Sequence, residues 1–332
     1  MSTINYAAEY DNSGRVENSA ELIDAYIEDA AEFRATEGLD AEYDLAYGPQ
    51  PRNKMDLFWP GDDAGKARTS PIVVFIHGGY WQRLDRSAFS HMAKGLLEND
   101  MAVAMPSYTL APDITVAGII NEMRRACLVL HQTYKRPLTV VGHSAGGHLA
   151  ACMLATEWTK IHPDLPDDLV QSAMGISGLY DLAPLLQTPI NDALGMDFES
   201  AYASSPLEWV PPPLHRFQAW VGGDESEEYH RQSRDITKRW SMLGTSCEMK
   251  AVKNTNHFTV IHKLLKPGSK MVKRIVDLVV HPVIQIDFQD DEDAIAQVLA
   301  NGPIKPSALE DKPNDNNQQH DSEQQETALP QQ

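Results

Sequence analysis

The sequence predicts an α/β fold with a mostly parallel central sheet and helices on both faces. Between residues 71 and 280, short and continuously apolar runs alternate with longer amphipathic segments. That is the pattern of parallel strands buried on both faces and joined by crossover helices. The chain has 332 residues, 42% of them hydrophobic, enough for one large core.

Taken in order, residues 20–36 place Leu22, Ile23, Tyr26, Ile27, Ala30 and Phe33 at helical spacing with acidic residues opposite, which predicts an amphipathic lead-in helix. Two strand-like runs follow, 42–47 and 55–59, split by the turn residues Gly48, Pro49, Gln50 and Pro51, and read as a hairpin at a sheet edge. Further strands are expected at 71–76, 101–105, 138–141, 170–176, 217–221 and 247–252, and helices at 85–98, 114–134, 145–158, 227–243 and 269–280. The stretch 178–214 is rich in Pro and Leu, breaks the alternation, and reads as a small cap insertion over the strand ends. The organisation expected is thus a helical lead-in over 1–40, a main domain over 41–280 and an acidic, largely disordered tail over 281–332, whose end from Asn314 onward is almost free of apolar residues.

Charge and cysteine content narrow the function. Lys plus Arg is 28 and Asp plus Glu is 47, a formal charge of −19 that repels nucleic acids and anionic membranes alike. Cys127, Cys152 and Cys247 are too few and too scattered for a disulfide framework or a zinc ribbon. The first ten residues lack the basic start and apolar core of a signal peptide, and no apolar run is long enough to span a bilayer. A cytoplasmic protein acting on a small molecule is the expectation, and a homodimer is compatible with it.

The sharpest chemical signal is Gly142-His143-Ser144-Ala145-Gly146, set between an apolar strand and an Ala- and Leu-rich helix. The motif alone would arise by chance in roughly one chain in ten of this length. Its strand–turn–helix context is what marks a nucleophile elbow, whose glycines let the chain turn tightly enough to expose the serine hydroxyl. A second signal, His77-Gly78-Gly79-Tyr80-Trp81, ends the strand at 71–76. Such a turn leaves backbone N–H groups free for a developing oxyanion, and Gly79, Tyr80 and Ala145 are the expected donors. A nucleophilic serine needs a base, and the chain order is serine, acid, histidine. Of 12 histidines, His257 lies in the polar loop after the strand at 247–252, where that base belongs, whereas His143 and His148 belong to the elbow and its helix and His262 and His281 come after the loop. Asp224 and Glu225 both follow the strand at 217–221, and by chemistry alone either can hold the imidazole in its tautomer. No His-Glu-x-x-His, calcium loop, phosphate loop or dinucleotide fingerprint is present, so neither metal nor cofactor is expected.

With these residues in hand, the chain resembles the kynurenine formamidase (arylformamidase) group of α/β-hydrolases, itself similar to esterases of the hormone-sensitive lipase type. The likeness runs from about Asp44 to about His262. It is carried by His77-Gly-Gly-Tyr-Trp-Gln82, Gly142-His-Ser-Ala-Gly-Gly-His148, Ser177-Gly-Leu-Tyr-Asp-Leu182, Asn191-Asp192, Tyr229-His-Arg-Gln-Ser233 and Asn256-His-Phe258. The resemblance implies an α/β-hydrolase fold and a triad of Ser144, His257 and an acid four residues into the turn counted from Gly222, which is Glu225. Relatives carry Asp there, so Asp224 stays the alternative. It also implies cleavage of a formamide such as N-formylkynurenine, with a short-chain ester as the second substrate class and a non-catalytic interaction protein as the third reading. Trp81, Tyr180 and Phe258 are the aromatic residues expected to hold the substrate.

Overall fold

The structure, a computed structural model, describes residues 4–61 and 68–282. The expected acidic tail lies, from residue 283 onward, outside the described residues. Eight strands form one sheet: β1 (Ala41–Ala46), β2 (Lys54–Phe58), β3 (Ile72–Ile76), β4 (Ala102–Pro106), β5 (Leu138–His143), β6 (Val170–Ile176), β7 (Arg216–Gly222) and β8 (Ser246–Val252). Their spatial order is β1-β2-β4-β3-β5-β6-β7-β8, with β2 antiparallel to both neighbours and every other pairing parallel. The hairpin at 42–59 therefore caps one edge, as its turn residues predict, and the apolar runs are the buried centre.

Alternation along β3 shows how the core divides. Ile72, Val74 and Ile76 pack into a cluster with Ile119, Met123, Leu149 and Met153, whereas Val73 and Phe75 face a second cluster with Phe89, Met92, Val272 and Ile275. Successive side chains of a strand point to opposite faces, so both faces are covered by helices and β3 is buried along its whole length. The registers bring the carboxyl ends of the central strands level: Ile76 lies opposite Gly142, His143 opposite Ile176, and Ile176 opposite Trp220. Loops leaving these ends meet over one edge of the sheet, where ligands of open α/β sheets bind.

Three segments differ from the sequence reading. Residues expected to form an α-helix at 85–98 are a 3₁₀ stretch, Arg86–Ala93, followed by a short helix, Lys94–Leu97. All but Ser87 of that stretch is buried, so contacts on every side outweigh helix propensity. The helix after Ser144 stops at Leu154, and the Thr156 hydroxyl donates to the Cys152 carbonyl at 2.7 Å. Residues before the lead-in helix (Ser19–Arg34) form two single turns, Tyr6–Glu9 and Asn12–Arg15, capped by the side chains of Asn5 and Asp11. The stretch at 178–214 is built of short pieces, Ala183–Gln187, Asn191–Leu194, Phe198–Ala203 and Pro206–Glu208. Among the described residues, no helix is long and apolar enough to cross a membrane.

A buried ionic cluster ties the lead-in helix to the sheet. Asp56 of β2 is fully buried, with Arg34 Nη1 at 2.5 Å from one carboxylate oxygen. The Asp44 N–H donates to the other oxygen at 2.9 Å, and Arg86 Nε stands 3.0 Å from it as an ion pair whose angle falls short of a hydrogen bond. Removing one partner of a buried cluster leaves the others charged without compensation. Asp56→Ala is therefore expected to lower the unfolding free energy by about 3–5 kcal/mol in urea titration. A loss under about 1 kcal/mol would show that water solvates the two arginines instead.

Candidate active site

Five consecutive strand ends supply the residues that meet above the sheet. Ser144 follows β5 with φ 56° and ψ −119°, a conformation that costs a non-glycine residue about 1–3 kcal/mol and is held by its surroundings. Its N–H donates to the Ile176 carbonyl at 2.8 Å. The flanking glycines are required by close approach: a Cβ on Gly142 would lie 2.0 Å from the Gly146 carbonyl oxygen, and one on Gly146 would lie 1.9 Å from that of Ile76. The elbow and the end of β3 are thus in backbone contact.

The turn after β3 is the second part. Gly79 (φ 117°), Tyr80 (φ 51°) and Trp81 (φ 59°) are all left-handed, and the Gly79 carbonyl accepts from the N–H groups of Gln82 and Arg83 at 3.0 Å. Among the described residues, the N–H groups of Gly79, Tyr80 and Ala145 donate to no protein acceptor. His77 closes the turn from beneath. Its ring stacks on Tyr108 at 4.4 Å, Nδ1 lies 2.8 Å from the Gly78 carbonyl oxygen, and burial pulls its pKa down to about 4, so it is neutral at ordinary pH.

The third part is an imidazole–carboxylate pair. His257 Nδ1 is 2.7 Å from Glu225 Oε2, and both side chains are almost wholly buried. The other oxygen, Oε1, accepts from the Gly222 N–H at 2.6 Å and the Ser177 hydroxyl at 2.5 Å. A Cβ on Gly222 would lie 2.8 Å from Oε1, so only glycine lets the carboxylate fold back onto its own strand end. Asp224 is exposed and is not a partner of His257. His143 Nε2 stands 2.8 Å from the His257 carbonyl oxygen and steadies the loop; burial, then the neighbouring His257, hold its pKa well below the usual value. His257 Nε2 and the Ser144 hydroxyl make no hydrogen bond to each other, a contact that often tightens only when substrate is present.

Ser144, His257, Gly79 and Tyr80 line a cavity of about 620 Å³. Of the three aromatic residues expected to touch substrate, Phe258 lines it. Trp81 and Tyr180 do not: Trp81 is fully buried edge-on to His148 at 5.1 Å, and Tyr180 is fully buried edge-on to Phe217 at 5.7 Å, since the turn and the 178–214 segment fold these rings down into the core. The wall that the sequence reading missed comes from residues 5–13, with Ile23 and Tyr26 behind them. Nothing in the spacing of that segment signals a site. Ser177, whose motif carried no role, could have been found from its place directly after β6. Among the described residues, no group of three His, Cys, Asp or Glu side chains is arranged to hold a metal ion.

A BD-FAE family model matches residues 55–188. The kynurenine formamidase of Salmo salar is 32% identical over 229 residues, covering 67% of this chain and 76% of that protein. That of Danio rerio is 29% identical over 245 residues, covering 71% and 81%. Among solved structures, a Silicibacter chain described as a candidate thioesterase has a TM-score of 0.72 at 32% identity, covering 82% of this chain and 100% of that one. A thermostable carboxylesterase from a metagenomic library, at 15% identity and a TM-score of 0.63, shares the fold over 81% of this chain and 97% of that one.

The buried histidines make stability pH-dependent with a definite sign. Desolvation depresses His77, His91 and His148 to about 4 from the ordinary 6.5, and His143 well below it. Between those values the unfolded chain binds more protons, so stability is fully present above pH 6.5 and is lost as pH falls toward 4. Each histidine contributes at most about 1.4 kcal/mol per pH unit in that window. Urea unfolding at pH 7, 6 and 5 should show a progressive decline, and a flat profile would contradict the assignment of these rings as buried and neutral.

Proposed function

The chain belongs to the kynurenine formamidase family of α/β-hydrolases, and we propose that within it Ser144, His257 and Glu225 form a catalytic triad that cleaves an aryl formamide of the N-formylkynurenine kind. One observation carries the triad: Glu225 pins Nδ1 of an imidazole in the cavity that also holds a serine at an elbow. With Nδ1–H donated to the carboxylate, Nε2 is the basic nitrogen and faces the reaction. Ser144 attacks the formyl carbonyl while Nε2 takes its proton. The N–H groups of Gly79, Tyr80 and Ala145 stabilise the oxyanion, and the proton then passes to the leaving nitrogen. Water then attacks the formyl-serine as His257 Nε2 takes its proton, and that proton passes to the Ser144 oxygen as formate leaves.

The formamide reading is supported by the two fish relatives, both kynurenine formamidases, and by the cavity. Tyr80 stands in the oxyanion turn where an open, glycine-rich turn would leave room for a longer acyl chain, and a one-carbon formyl group needs none. Tyr26, Phe89 and Phe258 offer aromatic walls to an aromatic amine. The charged residues of the lining, Asp11 and Arg83, are exposed and form no ion pair with each other, which suits the ammonium and carboxylate of an amino-acid tail. A short-chain ester or thioester is the second reading, favoured by the name of the Silicibacter chain.

Ser144→Ala should abolish both turnover and labelling by an organophosphonate. Glu225→Gln should lower kcat by about 10³- to 10⁴-fold by releasing the imidazole tautomer, whereas Asp224→Asn should change it little. N-formylkynurenine should be hydrolysed, and aryl esters should fall in rate roughly 10- to 200-fold as the acyl chain grows from acetate to butyrate. Should butyrate esters prove best and N-formylkynurenine stay intact, the esterase reading replaces the formamidase one.

A further inference from the structure

We propose that Asn12 is a positioning residue of this hydrolytic site, joining the oxyanion turn to the ring that packs on the base; the proposal rests on the triad reading above. Asn12 is buried, and its amide nitrogen donates both protons to phenols from distant parts of the chain. One goes to Tyr80 Oη at 3.0 Å and the other to Tyr229 Oη at 2.8 Å. The two phenols are themselves 2.7 Å apart, and Tyr80 Oη lies 2.6 Å from the Tyr10 carbonyl oxygen.

These distances allow one direction of hydrogen bonding. A carbonyl only accepts, so the Tyr80 proton goes to Tyr10, and Tyr80 Oη must then accept from Tyr229. Tyr229 has spent its proton and accepts from Asn12. Burial drives the pKa of both phenols up, so each keeps the proton this pattern needs. Both amide protons of Asn12 and both phenols are used in this pattern, and a buried network so connected holds its members in one arrangement.

Two consequences reach the chemistry. Tyr80 is in the left-handed region at φ 51°, and the backbone N–H of this strained residue is one of the proposed oxyanion donors. Its ring is the handle by which the turn is held, and Asn12 grips that handle. Tyr229 packs on the imidazole of His257, with ring centroids 4.8 Å apart. Asn12 thus fixes a donor of the oxyanion hole and a neighbour of the base relative to each other, from a segment 68 and 217 residues away in sequence. Tyr10 extends the tie: its hydroxyl donates to Glu228 at 2.8 Å and accepts from Gln232 at 2.8 Å, which anchors residues 10–12 to the helix Glu227–Met242.

The test uses the full chain and p-nitrophenyl acetate, with sites counted by phosphonate titration so that kcat refers to folded enzyme. Asn12→Ala should lower kcat per titrated site by about 10- to 100-fold with KM within threefold, because misaiming an oxyanion donor weakens the transition state and not the ground state. In a cycle with Tyr80→Phe, which keeps the backbone N–H, the double variant should lose no more than the worse single one, since both changes cut the same tie. If Asn12→Ala does not fold, Asn12→Asp carries the same reading, being equal in shape but without an N–H to donate. A kcat within twofold of wild type, a loss confined to KM, or additive losses in the cycle would overturn the proposal and leave Asn12 a wall of the cavity. Wild-type turnover that survives Ser144→Ala would instead overturn the triad reading.

Discussion

The whole site depends on three positions where a side chain is forbidden. Gly78, Gly142 and Gly146 lie where the elbow after β5 presses against the end of β3, and a Cβ at any of them would meet another atom at under 3.0 Å. This contact brings Ser144 and the turn residues Gly79 and Tyr80 into one cavity. It also explains why the strained backbone of Ser144 is tolerated: the Ile176 carbonyl and the packed glycines over-determine it. A serine elsewhere in the chain has the same chemistry and no such setting.

The remaining parts arrive by register. Because β3, β5, β6 and β7 end level, the residues just beyond them converge without long loops. Ser177 and the Gly222 N–H each bond to Glu225 Oε1, leaving Oε2 for the imidazole. A carboxylate bound by three hydrogen-bond donors is fixed in place, which is what orienting a histidine requires. The buried histidines around it serve differently. His77 and His143 are desolvated and neutral, so they brace the turn after β3 and the His257 loop without adding positive charge.

The cavity is closed from an unexpected side. The cap expected at 178–214 contributes Thr188, Pro189 and Ile190, while the longer stretch of lining comes from residues 5–13. The lead-in segment is held there by the Tyr10, Asn12, Tyr80 and Tyr229 hydrogen bonds and, further along, by Arg34 on the buried Asp56. Residues 10–12, read from the sequence only as part of a helical lead-in, are therefore bonded to the middle of the site.

Alternating apolar runs and the glycine pattern of two turns were legible in the sequence because they are local: a strand buried on both faces must be continuously apolar, and a backbone contact must be made by glycine. The fold, the elbow at Ser144 and the turn at His77 follow from such rules, and the family resemblance singled out Glu225 from its neighbour. What needed the tertiary structure was every relation between distant segments. That Asp224 points to solvent while Glu225 meets His257 depends on how the chain folds back at Gly222. That Trp81 and Tyr180 lie in the core and do not line the cavity depends on which way each loop closes. That Asn12 touches two phenols depends on hydrogen bonds across 68 and 217 residues, and no local pattern encodes them because the partners become neighbours only once the sheet has formed.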